Sequence, residues 1–314
     1  MLTDMRLRLG RPDIDDYSDR FAVPAAGDDS TLSVTFLGVA SVLVSDGPSA
    51  ILTDGFFSRP SLVKVGLGRI APDLPRIEAC LARAGIERLD AVLPVHCHYD
   101  HGLDSAVVAD RTGATLVGGE STANIGRGHG LPEEQILVAR SGDTHALGAF
   151  DVTLIESHHC PPDRFPGTID HPLKPPARAK AYRCGEAWSL LVHHRPTGRR
   201  TLIQGSAGWI DGALSGQQAE VAYIGVGQLG IHDEEYLRTY WSQSVRTVGA
   251  RRVVLIHWDD FFQPLDRPLR ASAYAMDDLD LVMRVLGELA DEDGVELLLP
   301  TVWRREDPWV ASGA

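Results

Sequence analysis

The sequence predicts an α/β (α+β) fold in which two mixed β-sheets pack face to face with helices outside both. Three observations carry this prediction. Strand-type apolar runs and amphipathic helical periods follow one another in two successive halves of the 314-residue chain. Several of the runs are short and uniformly apolar, as strands buried on both faces are. No linker is long enough to separate the halves. Residues 1–30, polar and turn-rich, read as an N-terminal arm. Residues 31–314 read as one domain, with a proline-rich, lid-like excursion at 160–187.

In chain order, TLSVTFLGVASVLVSD (31–46) and AILTDGF (50–56) read as strands joined at Gly47-Pro48. Residues 73–85 read as a helix. Asp73 caps it, Ile77, Leu81 and Ala84 share one face, and Gly85 suits its end. AVLPV (91–95) is a buried-type strand that runs straight into VHCHYDHG (95–102). Residues 104–111 form a helix closed by Gly113, and ATLVG is the next strand. GRGHG, with His129, reads as a glycine-rich loop. In the second half DVTLIESHH (151–159) is a strand by its β-branched content. SLLVHH and TLIQG make a hairpin across Pro196-Thr197-Gly198, which leaves His193 and His194 solvated. VAYIGVG is a buried strand. Residues 234–248 are a helix whose stripe is Leu237, Tyr240, Trp241, Val245 and Val248. RVVLIHW is a strand, and 277–290 a closing helix. The stretch 160–187 holds six prolines and no periodicity.

The chain is 44% hydrophobic, which supports a large core. Its net charge of −13 works against nucleic acid as a partner. No apolar run reaches the roughly 20 residues that span a bilayer. The first residues lack the apolar core of a secretory signal, so the expected location is the cytoplasm. Four scattered cysteines make no disulfide framework.

The stretch HCHYDH places three histidines and an aspartate within six positions. His96 and His98 lie two apart at a strand end, so both imidazoles project to one side and Cys97 to the other, toward the core. Asp100 and His101 follow a turn and face a second point nearby. Imidazole with carboxylate suits zinc, one ion or two, and also manganese, iron or nickel. The remaining ligands come from other strand ends, where His158, His159 and His257 stand.

HCHYDH resembles the HxHxDH signature of the metallo-β-lactamase-fold hydrolases, and the likeness runs from about residue 32 to 303. FLGVASVLV followed by ILTDGFFSRP is similar to the opening of the branch that includes L-ascorbate-6-phosphate lactonase and the N-acylphosphatidylethanolamine phospholipase D enzymes. In that branch the second strand ends in an aspartate like Asp54. VTLIESHH and IHWDDF are similar to its later histidine strands. The resemblance implies a four-layer αβ/βα sandwich. It implies a first metal on His96, His98 and a third histidine, with the spacing favouring His159 over His158. It implies a second metal on Asp100, His101 and His257. This chain departs from the family at LIQGSAGW, where Ser206 stands in place of the bridging aspartate, and at Val39, where the branch carries a polar residue. Asp259 and Asp260 are the carboxylates available as substitutes. The implied activity is hydrolysis of an ester, lactone, amide or phosphodiester by metal-activated water, with Asp100 orienting the water and accepting its proton.

Two other readings compete. Ser206 leaves room for a metal-poor binding protein without catalysis. A redox di-metal enzyme shares the fold, but its motif has a carboxylate where this chain has His98. The expected partner is a small molecule. Arg164, His171, Lys174, Arg178 and Tyr182 of the excursion are available to an anionic group, although each singly also reads as solvating a loop. Oligomeric state is not legible.

Overall fold

The structure, a computed structural model, describes residues 8–310. Among these, fourteen strands divide into two seven-stranded sheets. The first half contributes β1 (Ser33–Phe36), β2 (Val42–Ser45), β3 (Ala50–Thr53), β4 (Ala91–Leu93), β5 (Thr115–Gly118) and β6 (Ile136–Val138). The second contributes β7 (Thr144–Leu147), β8 (Phe150–Ser157), β9 (Ala187–His194), β10 (Arg200–Gln204), β11 (Val221–Gly225), β12 (Arg252–Ile256) and β13 (Glu296–Leu298). A last strand, β14 (Arg305–Glu306), crosses back to pair antiparallel with β1 and ties the halves together.

Each sheet is half meander and half crossover. Strands β1 to β3 are antiparallel, and β3 to β6 run parallel. Likewise β7 to β10 are antiparallel, and β10 to β13 run parallel. Parallel neighbours need crossovers, and all of them except the one from β10 to β11, which is built of turns, are supplied by helices. These are α1 (Leu62–Leu67), α2 (Leu74–Arg83), α3 (Tyr99–Gly102), α4 (Ser105–Thr112) and α5 (Glu120–His129) on the first sheet. On the second they are α6 (Glu234–Trp241) and α7 (Leu279–Asp293). Alternation divides the core. Ile51, Ala91 and Leu93 point into the layer between the sheets, while Leu52 and Val92 meet the helices on the other face. No helix among the described residues is long and apolar enough to cross a membrane.

Several expectations shift. The run 31–46 is two strands, because the chain reverses at Gly38 (φ +88°) and Val39 (φ +54°). Leu37 N–H donates to Ser41 O across that turn at 2.8 Å. His129 lies at the end of α5 rather than in a loop. The glycines of GRGHG answer to packing instead: a Cβ on Gly128 would stand 2.0 Å from Leu173 O. His194 is buried and bonded to Thr197 and Asp46, not solvated. The stripe 237–248 is buried as expected, but α6 continues through a π-helical stretch, Ser242–Arg246. Residues 8–30 are tied down by a bridge from Ala25 to Glu306 and by the buried side chain of Val23. The 160–187 segment is anchored at both ends of its course. Leu173 N–H donates to Asn124 O, residues 70 and 177 form a bridge, and Cys97 N–H donates to Cys184 O.

Candidate metal centre

Three strand ends meet at one edge of the sandwich. Strand β4 delivers His96 and His98, and the single turn of α3 that follows carries Asp100 and His101. Strand β8 of the other sheet ends two residues before His159. Strand β12 ends one residue before His257, whose backbone takes φ +62°. A non-glycine residue in the left-handed region is strained by roughly 1–3 kcal/mol, and such strain concentrates at functional sites. His257 N–H donates to Val39 O at 2.7 Å, so Val39 serves the site through its backbone while its side chain stays buried.

The residues converge as two triads. The candidate ligand atoms of His96, His98 and His159 lie within 4.8 Å of one another, as do those of Asp100, His101 and His257. Ring centres are 3.9 Å apart for His96 and His101, and 5.1 Å for His101 and His257, so the triads adjoin. His158 is exposed and joins neither. Cys97 packs in the core against Thr122, and Cys160 points toward His232 and the Pro161 carbonyl.

Outer contacts orient the rings of three of the histidines, His101, His159 and His98. His101 Nδ1–H donates to Asp54 Oδ2 at 2.7 Å, and His159 Nδ1–H to Cys160 O at 2.6 Å. His98 Nε2 lies 3.1 Å from Asp163 Oδ1. The opposite nitrogens remain for a cation, the arrangement by which carboxylates and carbonyls orient metal-binding imidazoles. Both ring nitrogens of His96, Nε2 of His101 and Nδ1 of His257 are buried without a hydrogen-bond partner. Buried polar atoms are almost always satisfied. A buried cluster with unpartnered ring nitrogens on three of its histidines fits a divalent ion.

The electrostatics agree. Burial, reinforced by the neighbouring histidines, pushes His96 well below its ordinary range. Burial and His98 lower His159 to about 4. Burial would raise Asp100, but His101 and His257 beside it hold it below the usual carboxylate range. Burial would lower His257, yet contact with Asp100 leaves it raised. Neutral His96 and His159 near an ionised Asp100 are donors of the kind a divalent cation takes.

Ser206 borders the triads, and its Oγ accepts from Cys160 N–H at 2.9 Å. Neither substitute carboxylate is free to replace the missing aspartate. Asp259 forms a fully buried ion pair with Arg59 at 2.7 Å and accepts from Val39 N–H. Asp260 pairs with Arg11 and Arg270.

His98, Asp100, His159 and His257 of the triads line a cavity of about 490 Å³. Leu62, Val65, Phe165, Phe261 and Phe262 form its apolar side, and Arg164, Arg178 and Lys180 its cationic rim. Tyr182, expected among the residues open to an anion, is instead fully buried in the core. Asp163 escaped the sequence reading. It sits in an aperiodic proline-rich stretch, and its only signal there was closeness to His159.

Two mixed sheets face to face, helices outside, and a histidine-rich edge built from strand ends define the metallo-β-lactamase fold. No family model matches the chain. A UPF0173 metal-dependent hydrolase of Myxococcus xanthus (strain DK1622) is 31% identical over 137 residues, 43% of this chain; the chain thus spans less than half, 42%, of that relative's length. Igni18, a novel metallo hydrolase from the archaeon Ignicoccus hospitalis, superimposes with a TM-score of 0.55 at 15% identity, covering 88% of this chain and 97% of its own. CmlA, a diiron β-hydroxylase from Streptomyces venezuelae, does so with a TM-score of 0.53 at 13% identity, covering 93% of this chain and 59% of its own. At these identities the two structures share the fold, which by itself hosts more than one chemistry.

Proposed function

We propose that the chain is a metal-dependent hydrolase acting on a small molecule, with zinc as the resident ion. The observation that supports this reading most is the pair of triads, with ligand atoms within 4.8 Å, four of whose six residues line one cavity. Five imidazoles and a single carboxylate favour zinc over the harder ions manganese and iron. His96, His98 and His159 hold the first ion, and Asp100, His101 and His257 a second. When bound, such an ion lowers the pKa of water toward about 7 and polarises a carbonyl or phosphoryl oxygen.

The chain's own residues do the rest. Asp100 Oδ2 lies 3.5 Å from His257 Nε2 and 3.6 Å from His101 Nε2, and these imidazoles keep it ionised. At the cavity floor it accepts a hydrogen bond from water, turns the lone pair toward the scissile bond and takes up the proton. Phe261 and Phe262 keep bulk water from the apolar side of the cavity. The bond cleaved is an ester, lactone, amide or phosphodiester. Similarity of the opening and histidine strands to the branch of the ascorbate-phosphate lactonase and the phospholipase D enzymes supports a lactone or a phosphodiester. A redox di-metal role fits less well, since His98 stands where that chemistry places a carboxylate.

Ser206 favours one competing reading, a metal-poor binding protein, because it removes a negative charge from between the sites. Elemental analysis of protein purified without added metal separates the two. The hydrolase reading expects bound zinc that is lost in a folded His96→Ala, His98→Ala double variant. Full retention in that variant overturns the ligand assignment.

A further inference from the structure

The outer side of the 160–187 segment carries a second groove, of about 630 Å³. Arg69, Lys174, Arg178, Lys180 and Arg183 line it, and Asp170 is the one carboxylate on its walls. Asp170 is engaged by the Thr168 hydroxyl at 2.7 Å. Among the described residues none of the five cations has a carboxylate partner. The chain as a whole carries 43 acidic residues against 30 basic ones. Many other surface arginines pair with acids, among them Arg127 with Glu120 and Glu133, Arg195 with Asp151, and Arg284 with Glu234 and Glu288, so what sets the groove apart is five cations gathered on one wall.

The groove is built on fixed backbone. Ile70 and Ala177 exchange two main-chain hydrogen bonds, of 2.7 and 2.9 Å. Arg69 Nη1 donates to Pro176 O at 3.2 Å, which holds its guanidinium at the wall. Residues 179–181 form a short 3₁₀ turn with Ala179 buried. Arg178 and Lys180, on either side of that buried residue, line both this groove and the cavity above the metal triads. The two hollows therefore share a cationic wall. Five like charges on one exposed wall raise the local positive potential, which favours a multiply charged anion there. Guanidinium forks match the paired oxygens of phosphoryl groups.

We infer that this groove binds a multiply charged anionic group, phosphoryl in chemistry, belonging to a molecule that extends over Arg178 and Lys180 to the metal triads. The inference rests on the hydrolase reading for the position of the reacting end. The anion site itself stands on the groove alone. The 160–187 segment then serves the ligand twice, closing the cavity with one face and anchoring the ligand's tail with the other.

The test uses inorganic phosphate as the probe, titrated calorimetrically at low ionic strength. Three proteins are compared: the full chain, the His96→Ala, His98→Ala double variant, and a Lys174→Ala, Arg183→Ala variant. The last pair lines the groove and not the cavity. Phosphate is expected to bind the full chain and the histidine variant alike, and about tenfold or more weakly to the groove variant. Arg200→Ala, Arg251→Ala, at a different hollow, leaves the affinity unchanged. Unchanged affinity in the groove variant overturns the site. Loss of all phosphate binding in the histidine variant also overturns it, by placing the anion at the metal instead. Loss of metal in the histidine variant with groove binding intact supports both readings. Metal retention there with groove binding intact removes the ligand assignment and leaves the anion site standing. Tight binding of a single-stranded oligonucleotide, with no phosphate binding, replaces the small-molecule tail with nucleic acid and overturns the inference.

Discussion

Replacing Asp54 with asparagine keeps the shape of the side chain and removes one acceptor. Asp54 is fully buried at the end of β3. Its Oδ1 accepts from Val95 N–H at 2.9 Å, and its Oδ2 from His101 Nδ1–H at 2.7 Å. An amide has a single oxygen, so in either orientation its NH2 faces an N–H that must itself donate. A buried donor left without an acceptor costs about 1–3 kcal/mol. The same change frees the His101 ring, and loss of such an orienting carboxylate lowers metal affinity about 10–100-fold, or roughly 1.4–2.7 kcal/mol. Asp163→Asn removes the same charge beside His98 with a different geometry. There a single oxygen, Oδ1, lies 3.1 Å from His98 Nε2 and accepts from Phe165 N–H at 2.9 Å. The amide oxygen of asparagine can take both roles, and Phe165 O stands 3.4 Å from the same ring nitrogen as a second acceptor. The expected loss is therefore less than about tenfold. Chelator competition with zinc at neutral pH measures both variants, with far-UV circular dichroism confirming the fold. Equal losses in the two would refute the reasoning, because charge rather than acceptor geometry would then set the affinity. So would full affinity in a folded Asp54→Asn protein.

Two further outcomes are expected. Ser206→Asp introduces a carboxylate at the border of the triads and tightens the second, weaker metal site; two equally tight ions in the unmodified protein, with no gain in the variant, would show that another group bridges them. Glu306 gives a pH dependence remote from the site: burial pushes its carboxyl up to about 7, against the lowering by Thr301 N–H and Arg304, and its Oε2 is buried without a hydrogen-bond partner. Its folded pKa lies above the ordinary 4.5, so the proton stabilises the native state below about 4.5, and that contribution is lost as pH rises toward 7. The decline is of order 2–3 kcal/mol, and Glu306→Gln flattens it in urea unfolding at pH 5 and 8. A slope identical to that of the unmodified protein would contradict this account.

The sequence by itself determined the layers and the first half of the site. Period-two and period-3.6 patterns are local, and so is the i, i+2 spacing that turns His96 and His98 to one side while sending Cys97 into the core. The cap at Asp73 and the glycine stop at Gly113 were legible for the same reason, since each acts within one helical turn. Where local signals conflicted with packing, packing prevailed. Helix α5 was hidden because its Gly128 is required by the carbonyl of Leu173, 45 residues away, and not by a loop. The spacing already favoured His159, and the structure brings it to His96; tertiary structure alone decided that Asp163 reaches back to His98, and that Asp259 is consumed by Arg59 and cannot stand in for the absent carboxylate at Ser206. It also turned scattered cations at 69, 174, 178, 180 and 183 into one groove. These facts depend on where the ends of strands from two different sheets arrive. That is set by the register and stacking of the whole sandwich, which no short stretch of chain encodes.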